Sequence, residues 1–162
     1  MLTRILASVA LVAVAIPAIA MKEISTHETW TVFTDDPGMC LARGAASKVD
    51  PAVPDRKETY VQVTIFPMMN FKDEVFVIPG YTYASGAPIA ATVDGGETFS
   101  LKDDGYKSLA DDADKSRLVA AMRGGKTLVV KGRTDSGKDT SDSFSLAGFA
   151  EAYAEVAKLC SQ

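Results

Sequence analysis

Between residues 29 and 101 the chain alternates polar and apolar positions with a period of two, broken at intervals by proline and glycine. Thr29-Trp30-Thr31-Val32-Phe33 has the alternation of a strand with one buried face. Asp35-Asp36-Pro37-Gly38 carries turn chemistry, proline presetting φ and glycine relieving the tight position. Met39 to Arg43 then returns as a second strand, so residues 29–43 predict a hairpin. Ala46 to Lys57, with its prolines and mixed charges, predicts a surface loop. Tyr60 to Phe66 is the strongest strand, built from β-branched and aromatic residues and ended by Pro67. Further strands are predicted at Glu74–Ile78, Ile89–Val93 and Glu97–Leu101, the last two joined by the turn Asp94-Gly95-Gly96. Asp103-Asp104-Gly105 predicts another turn and Tyr106–Leu109 a short strand.

The period then lengthens. Asp111, Asp112 and Asp114 suit a helix N-terminus, where carboxylates cap free N–H groups and complement the dipole. Leu118, Ala121 and Met122 would face inward, and Gly124-Gly125 would stop the helix. Thr127–Lys131 and Ser141–Ser145 read as strands around a turn at Thr134–Asp139. A last helix is expected from Ser145, with Leu146, Phe149, Tyr153, Val156 and Cys160 on one face. Many short strands with closely spaced turn signals predict a mainly β chain: an antiparallel β-sandwich of immunoglobulin-like layers, with one short internal helix and a C-terminal helix.

The first twenty residues change the setting. Arg4 precedes an uncharged, almost wholly apolar run from Ile5 to Ala20, which closes on Pro17-Ala18-Ile19-Ala20. This is the three-part pattern of a secretory signal cleaved after Ala20, leaving residues 21–162 as a single exported domain. The run of about 16 residues is shorter than the roughly 20 a membrane helix needs, and Met21-Lys22-Glu23 is no stop-transfer signal. No later stretch could span a membrane. The net charge of −4 becomes about −5 without Arg4, and the basic residues are scattered, which argues against nucleic acid or an anionic membrane as the main partner.

Two cysteines, Cys40 and Cys160, stand near opposite ends of the exported part. In an oxidising compartment the favoured reading is one disulfide between them, worth on the order of 4–5 kcal/mol by restricting the unfolded chain. Two free thiols, a redox couple or intermolecular bridges are the alternatives, and no Cys-x-x-Cys is present.

Catalytic signals are sparse. The single histidine, His27, lies in what reads as a flexible start of the exported chain, so neither a histidine metal site nor a Ser-His-Asp triad is expected, and no Gly-x-Ser-x-Gly elbow exists. Gly132 to Lys138 matches the opening of a phosphate-binding loop, but Asp139 follows where a hydroxyl is needed and a strand follows where a helix is needed. A polar hairpin loop is expected there. Asp103, Asp104, Asp111, Asp112 and Asp114 lack the spacing of a calcium loop. Asp and Glu are plentiful, but no pair is singled out for glycoside hydrolysis. No catalytic, metal or cofactor residue is therefore assigned. The loop Pro79 to Gly86 presents Tyr81 and Tyr83 between glycines, an adaptable aromatic surface for protein recognition. The alternative is that one or both of these rings pack on the sandwich edge with the hydroxyl hydrogen-bonded.

The layout resembles the invasion-associated locus B family. The resemblance is carried by Trp30 through Cys40-Leu41, the Val61–Pro67 strand, Asp94-Gly95-Gly96, the helix ending in Gly124-Gly125-Lys126, and above all Ser145-Leu-Ala-Gly-Phe149-Ala-Glu-Ala-Tyr153. It covers nearly all of residues 28–160. It implies an exported protein of Gram-negative bacteria with a β-sandwich-like fold, in a family named for host-cell entry by some pathogens and without established catalytic residues. Many members carry a further cysteine pair in the centre, whereas here Gly105 is followed by Tyr106. The expectation is thus a non-enzymatic binding protein of the periplasm or cell surface, whose partner is a protein or envelope component. A periplasmic hydrolase using surface carboxylates is the competing reading, and a purely structural envelope component a third.

Overall fold

Ten strands pair antiparallel in the computed structural model, which describes residues 21–35, 38–52 and 55–161. The leader read at residues 1–20 and the centre of the first turn, Asp36-Pro37, lie outside the described residues. In chain order the strands are β1 (Lys22–His27), β2 (Trp30–Thr34), β3 (Cys40–Ala45), β4 (Tyr60–Phe66), β5 (Phe71–Ile78), β6 (Ile89–Val93), β7 (Thr98–Asp103), β8 (Ser108–Ala110), β9 (Thr127–Arg133) and β10 (Asp139–Ser145). Helix α1 (Lys115–Gly124) lies between β8 and β9, and α2 (Phe149–Leu159) follows β10. The chain is mainly β, as its alternation predicts.

The spatial order is β1-β2-β3-β4-β5-β8-β7-β6-β9-β10, so the two expected layers belong to one continuous sheet. The seam between its halves is narrow: β5 meets β8 only at Phe76↔Leu109 and Val77↔Ser108. The sheet doubles over there, and β10 returns to the segment after β3, where Lys48 bridges to Ser143. Alternation sends Val32, Ala42, Val61, Val63, Val75 and Val77 inward from one half, against Ala91, Phe99, Leu128, Val130 and Phe144 from the other. The result is sandwich-like burial without a closed barrel.

Three local expectations need correction. The segment read as a flexible start is β1, paired with β2 from Lys22↔Thr34 to His27↔Trp30. Its Lys-Glu-Ile-Ser-Thr-His sequence is mostly exposed and bulged, which hides the strand from a search for buried alternation. Helix α2 starts at Phe149 rather than Ser145, because Gly148 takes a left-handed conformation at φ 83°. A Cβ there would sit 2.0 Å from the carbonyl oxygen of His27, so only glycine allows β1 to approach. In α1 the acids do not cap as expected: Asp114 at the N-cap makes no side-chain bond to a helix N–H. Instead Asp111 pairs with Lys102 at 2.9 Å and Asp114 with Arg117 at 2.7 Å. The buried face of α1 is Leu118, Val119 and Met122, with Ala121 only partly covered.

Cys40 and Cys160 are joined, with Cα atoms 5.9 Å apart, tying β3 to the end of α2. The phosphate-loop look-alike is the tip of the β9–β10 hairpin, where Thr134 N–H donates to the carbonyl of Lys138.

Candidate functional site

The structure divides the two loop tyrosines. Tyr83 is 3% exposed, and its hydroxyl is 3.2 Å from Ser108 Oγ. It cannot offer its ring to a partner, and burial pushes its hydroxyl's pKa up. Tyr81 packs edge-on against it, centroids 5.2 Å apart, with its hydroxyl 2.6 Å from Thr140 Oγ1. Gly132 makes room for both: a Cβ there would lie 2.8 Å from the Tyr83 ring and 3.2 Å from the Tyr81 hydroxyl oxygen. The packed alternative therefore describes both rings, Tyr83 wholly and Tyr81 in part, since Tyr81 keeps one side on a hollow of about 360 Å³ lined also by Lys57, Ile78, Thr82 and Tyr106.

Behind Tyr81 lies a buried ion pair. Arg56 Nη2 donates to Asp142 Oδ2 at 2.5 Å, with side-chain exposures of 6% and 2%, and Arg56 Nε donates to the Pro79 carbonyl at 2.8 Å. Among the described residues nothing donates to Asp142 Oδ1. Burial raises the pKa of Asp142, and the Arg56 guanidinium opposes that rise. The pair joins the segment around Arg56 to β10, and both side chains are almost wholly closed to solvent.

The surface that sequence reading missed is the outward face of β3, β4, β5 and β8. Arg43, Gln62 and Phe76 are successive cross-strand partners on β3, β4 and β5. The Arg43 guanidinium lies 4.4 Å from the centre of the Tyr60 ring and 5.3 Å from that of Phe33. Gln62 Oε1 accepts from its Nη2 at 2.9 Å and its Nε at 3.3 Å, fixing the plane. On the other side Lys107 Nζ stands 4.9 Å from the Phe76 ring centre and 5.5 Å from that of Tyr106. Tyr106 is 70% exposed and separates the Tyr81 hollow from a second one of about 180 Å³ bounded by Tyr60, Gln62, Phe76, Ile78 and Lys107. The signal for this face was present as outward positions of β4 and β5 occupied by Tyr60, Phe76 and Ile78 rather than by charged residues.

Two polar clusters sit elsewhere. His27 Nε2 is 2.6 Å from Glu155 Oε2, and Ser25 Oγ donates to the same oxygen at 2.5 Å. These residue types suggest a hydrolytic triad, but the geometry does not: Ser25 Oγ donates to the carboxylate and lies 3.4 Å from His27 Nε2, the same ring nitrogen that faces Glu155, whereas a triad uses opposite nitrogens for its serine and its acid. The arrangement ties β1 to α2 and holds the Glu155 carboxyl below its ordinary pKa, chiefly through His27. Between β5 and the helices, Asp73 accepts from Tyr153 Oη and from Ser116 Oγ, the latter at 2.8 Å, and Glu74 pairs with Lys115. Among the described residues no group of three or more His, Cys, Asp or Glu could hold a metal ion. No helix there is long and apolar enough to cross a membrane.

The sequence profile described as invasion associated locus B (IalB) protein matches residues 30–157. Among curated proteins none matches the chain. Among solved structures, the crystal structure of invasion associated protein B from Bartonella henselae has the same fold, at a TM-score of 0.60 and 16% identity. The match covers 85% of this chain and 98% of that one.

Proposed function

Because the chain belongs to the invasion associated locus B family, we propose that it is an exported, non-enzymatic binding protein of the bacterial envelope. Residues 1–20 would be its cleaved leader and residues 21–162 the working domain, in the periplasm or at the cell surface. A disulfide between Cys40 and Cys160 suits such a compartment. The observation that carries the reading is Tyr106: a ring 70% exposed, set between two hollows and beside a cation. Aromatic rings are enriched at recognition surfaces, where a ring face can also hold a cation. The partner is a protein or another envelope component, and contact with a host cell is the form of this role that the family's name suggests.

A hydrolase using surface carboxylates has weaker support. Asp142, the carboxylate whose acidity burial reduces, is closed off by Arg56, and Asp73 and Glu74 are held by Tyr153, Ser116 and Lys115.

The test is expression of the tagged full chain in a Gram-negative host, followed by fractionation and intact-mass measurement. The expected product starts at Met21, is oxidised, and is retained by washed envelopes more strongly than its Tyr106→Ala variant. A full-length, reduced chain in the cytosol would overturn export. Equal retention of the wild type and the variant would overturn the binding role of this face.

A further inference from the structure

We infer that the outward face of β3, β4, β5 and β8 binds an acidic saccharide chain. Arg43 and Lys107 hold its anionic groups, and the rings of Tyr60 and Tyr106 stack on its sugars. The inference rests on the binding role proposed above and supplies the ligand class.

Charge comes first. The protein carries a net charge of −4, yet the side chains around the two hollows include Lys57 and Lys107, with Arg43 alongside. Arg43 lies against the rings of Phe33 and Tyr60, and beyond its two bonds to Gln62 three of its five N–H groups have no partner among the described residues. A planar guanidinium with a fixed orientation and spare donors is suited to a carboxylate, sulfate or phosphate group. Asp104 is the acid at the margin, 3.2 Å from Lys107. Its side chain is 58% exposed against 25% for Lys107, and a pair whose acid stands in solvent is weak enough for a ligand anion to displace.

Spacing comes second. Arg43 and Phe76 flank Gln62 on neighbouring strands, and Lys107 lies over Phe76. Two strand spacings place the cationic anchors about 10 Å apart across an aromatic and amide floor. A linear chain bearing anions on successive or alternate units can touch both anchors at once.

The backbone decides between a saccharide and an extended acidic peptide. β3, β4, β5 and β8 are interior strands, each hydrogen-bonded to a neighbour on both sides. At Phe76, Val77, Ser108 and Leu109, where this face lies, β5 and β8 offer no free edge for main-chain pairing, which is the usual way a sheet binds an extended peptide. What remains is side-chain chemistry: flat ring faces for the C–H side of a sugar, and cationic donors for its acidic groups. Tyr106, with a hollow on either side, provides such a face.

The experiment is titration calorimetry on the disulfide-bonded protein purified from the periplasm of a host expressing the full chain. The probes are oligogalacturonate, a heparin-derived oligosaccharide, a dextran oligosaccharide and oligoglutamate. Binding of either acidic saccharide is expected, with dextran at least about tenfold weaker, a difference of about 1.4 kcal/mol. Arg43→Gln and Tyr106→Ala should each weaken acidic-saccharide binding by about tenfold or more, and Tyr106→Ala, at an exposed position, should leave the melting temperature unchanged. Tyr106 is exposed, so its variant keeps the test valid if Arg43→Gln folds poorly. Failure of both acidic saccharides to bind overturns the proposal. So does oligoglutamate binding as tightly as they do and indifferent to Tyr106→Ala, which would leave envelope retention, and hence the binding role, to stand or fall on its own test.

Discussion

The ring of Phe149 lies 4.6 Å from that of Trp30, tilted by 54°, and both are fully buried. Trp30 also donates its indole N–H to the Ser145 carbonyl at 2.9 Å, so β2 meets both the end of β10 and the start of α2. Removing the Phe149 ring leaves a void that neighbours in a stiff sheet fill poorly. Phe149→Ala is expected to cost about 3–5 kcal/mol. Urea unfolding of the purified protein, followed by the fluorescence of Trp30, measures it.

Gly148 makes a sharper demand. A side chain there meets both a φ of +83° and the His27 carbonyl at 2.0 Å. Gly148→Ala should lower the melting temperature and release β1 ahead of the rest. Hydrogen exchange resolved by mass spectrometry should show protection lost first at Lys22–His27. Uniform loss over β1 and β9 would contradict this account.

Reduction of the Cys40–Cys160 bridge frees a chain of 120 residues between its ends. In the chain-entropy treatment a loop of that length contributes on the order of 4–5 kcal/mol. Cys160→Ser should therefore melt well below the oxidised wild type and loosen α2, and the Cys40→Ser, Cys160→Ser pair should match it. Thermal unfolding with and without reductant checks both statements, and intact mass should show two thiols only after reduction.

Acid should act on β1 through Glu155. His27, and after it Ser25, hold the folded carboxyl below its ordinary value of 4.5. A depressed folded pKa gives stability that is complete above about pH 4.5 and fades as pH falls through the lower folded value. Glu155→Gln should narrow the gap to wild type as pH drops through that window. Parallel melting curves for the two proteins at every pH from 7 down to 3 would count against it.

Strands with one buried face were legible because alternation reports burial directly: β4 is read residue for residue, and β6 likewise. β1 was not, since its outward edge position and polar sequence leave no apolar rhythm to detect. The fate of Tyr83 was equally hidden. Its surroundings, Gly80 to Gly86, read as a loop, and the space that buries it is made by Gly132, far along the chain. Asp111 was misread for a related reason, because its partner Lys102 is brought to it by folding, whereas Asp114 pairs with Arg117 one helical turn on instead of capping. The face of cations and rings depends on register, which brings Arg43, Gln62 and Phe76 abreast from three strands.

The outer side of β10 is already spoken for. Ser141 N–H donates to the Asp50 carbonyl at 2.6 Å and Ser143 N–H to that of Lys48 at 2.8 Å. The Ser143 carbonyl accepts from Ser47 N–H, and the Ser145 carbonyl from Trp30. Fibre growth by strand addition requires two open rims on every copy. With this rim sealed by the protein's own loop, whatever joins the β1 side can extend no further than one partner. At high concentration this sheet thus does not template its own polymer by strand addition.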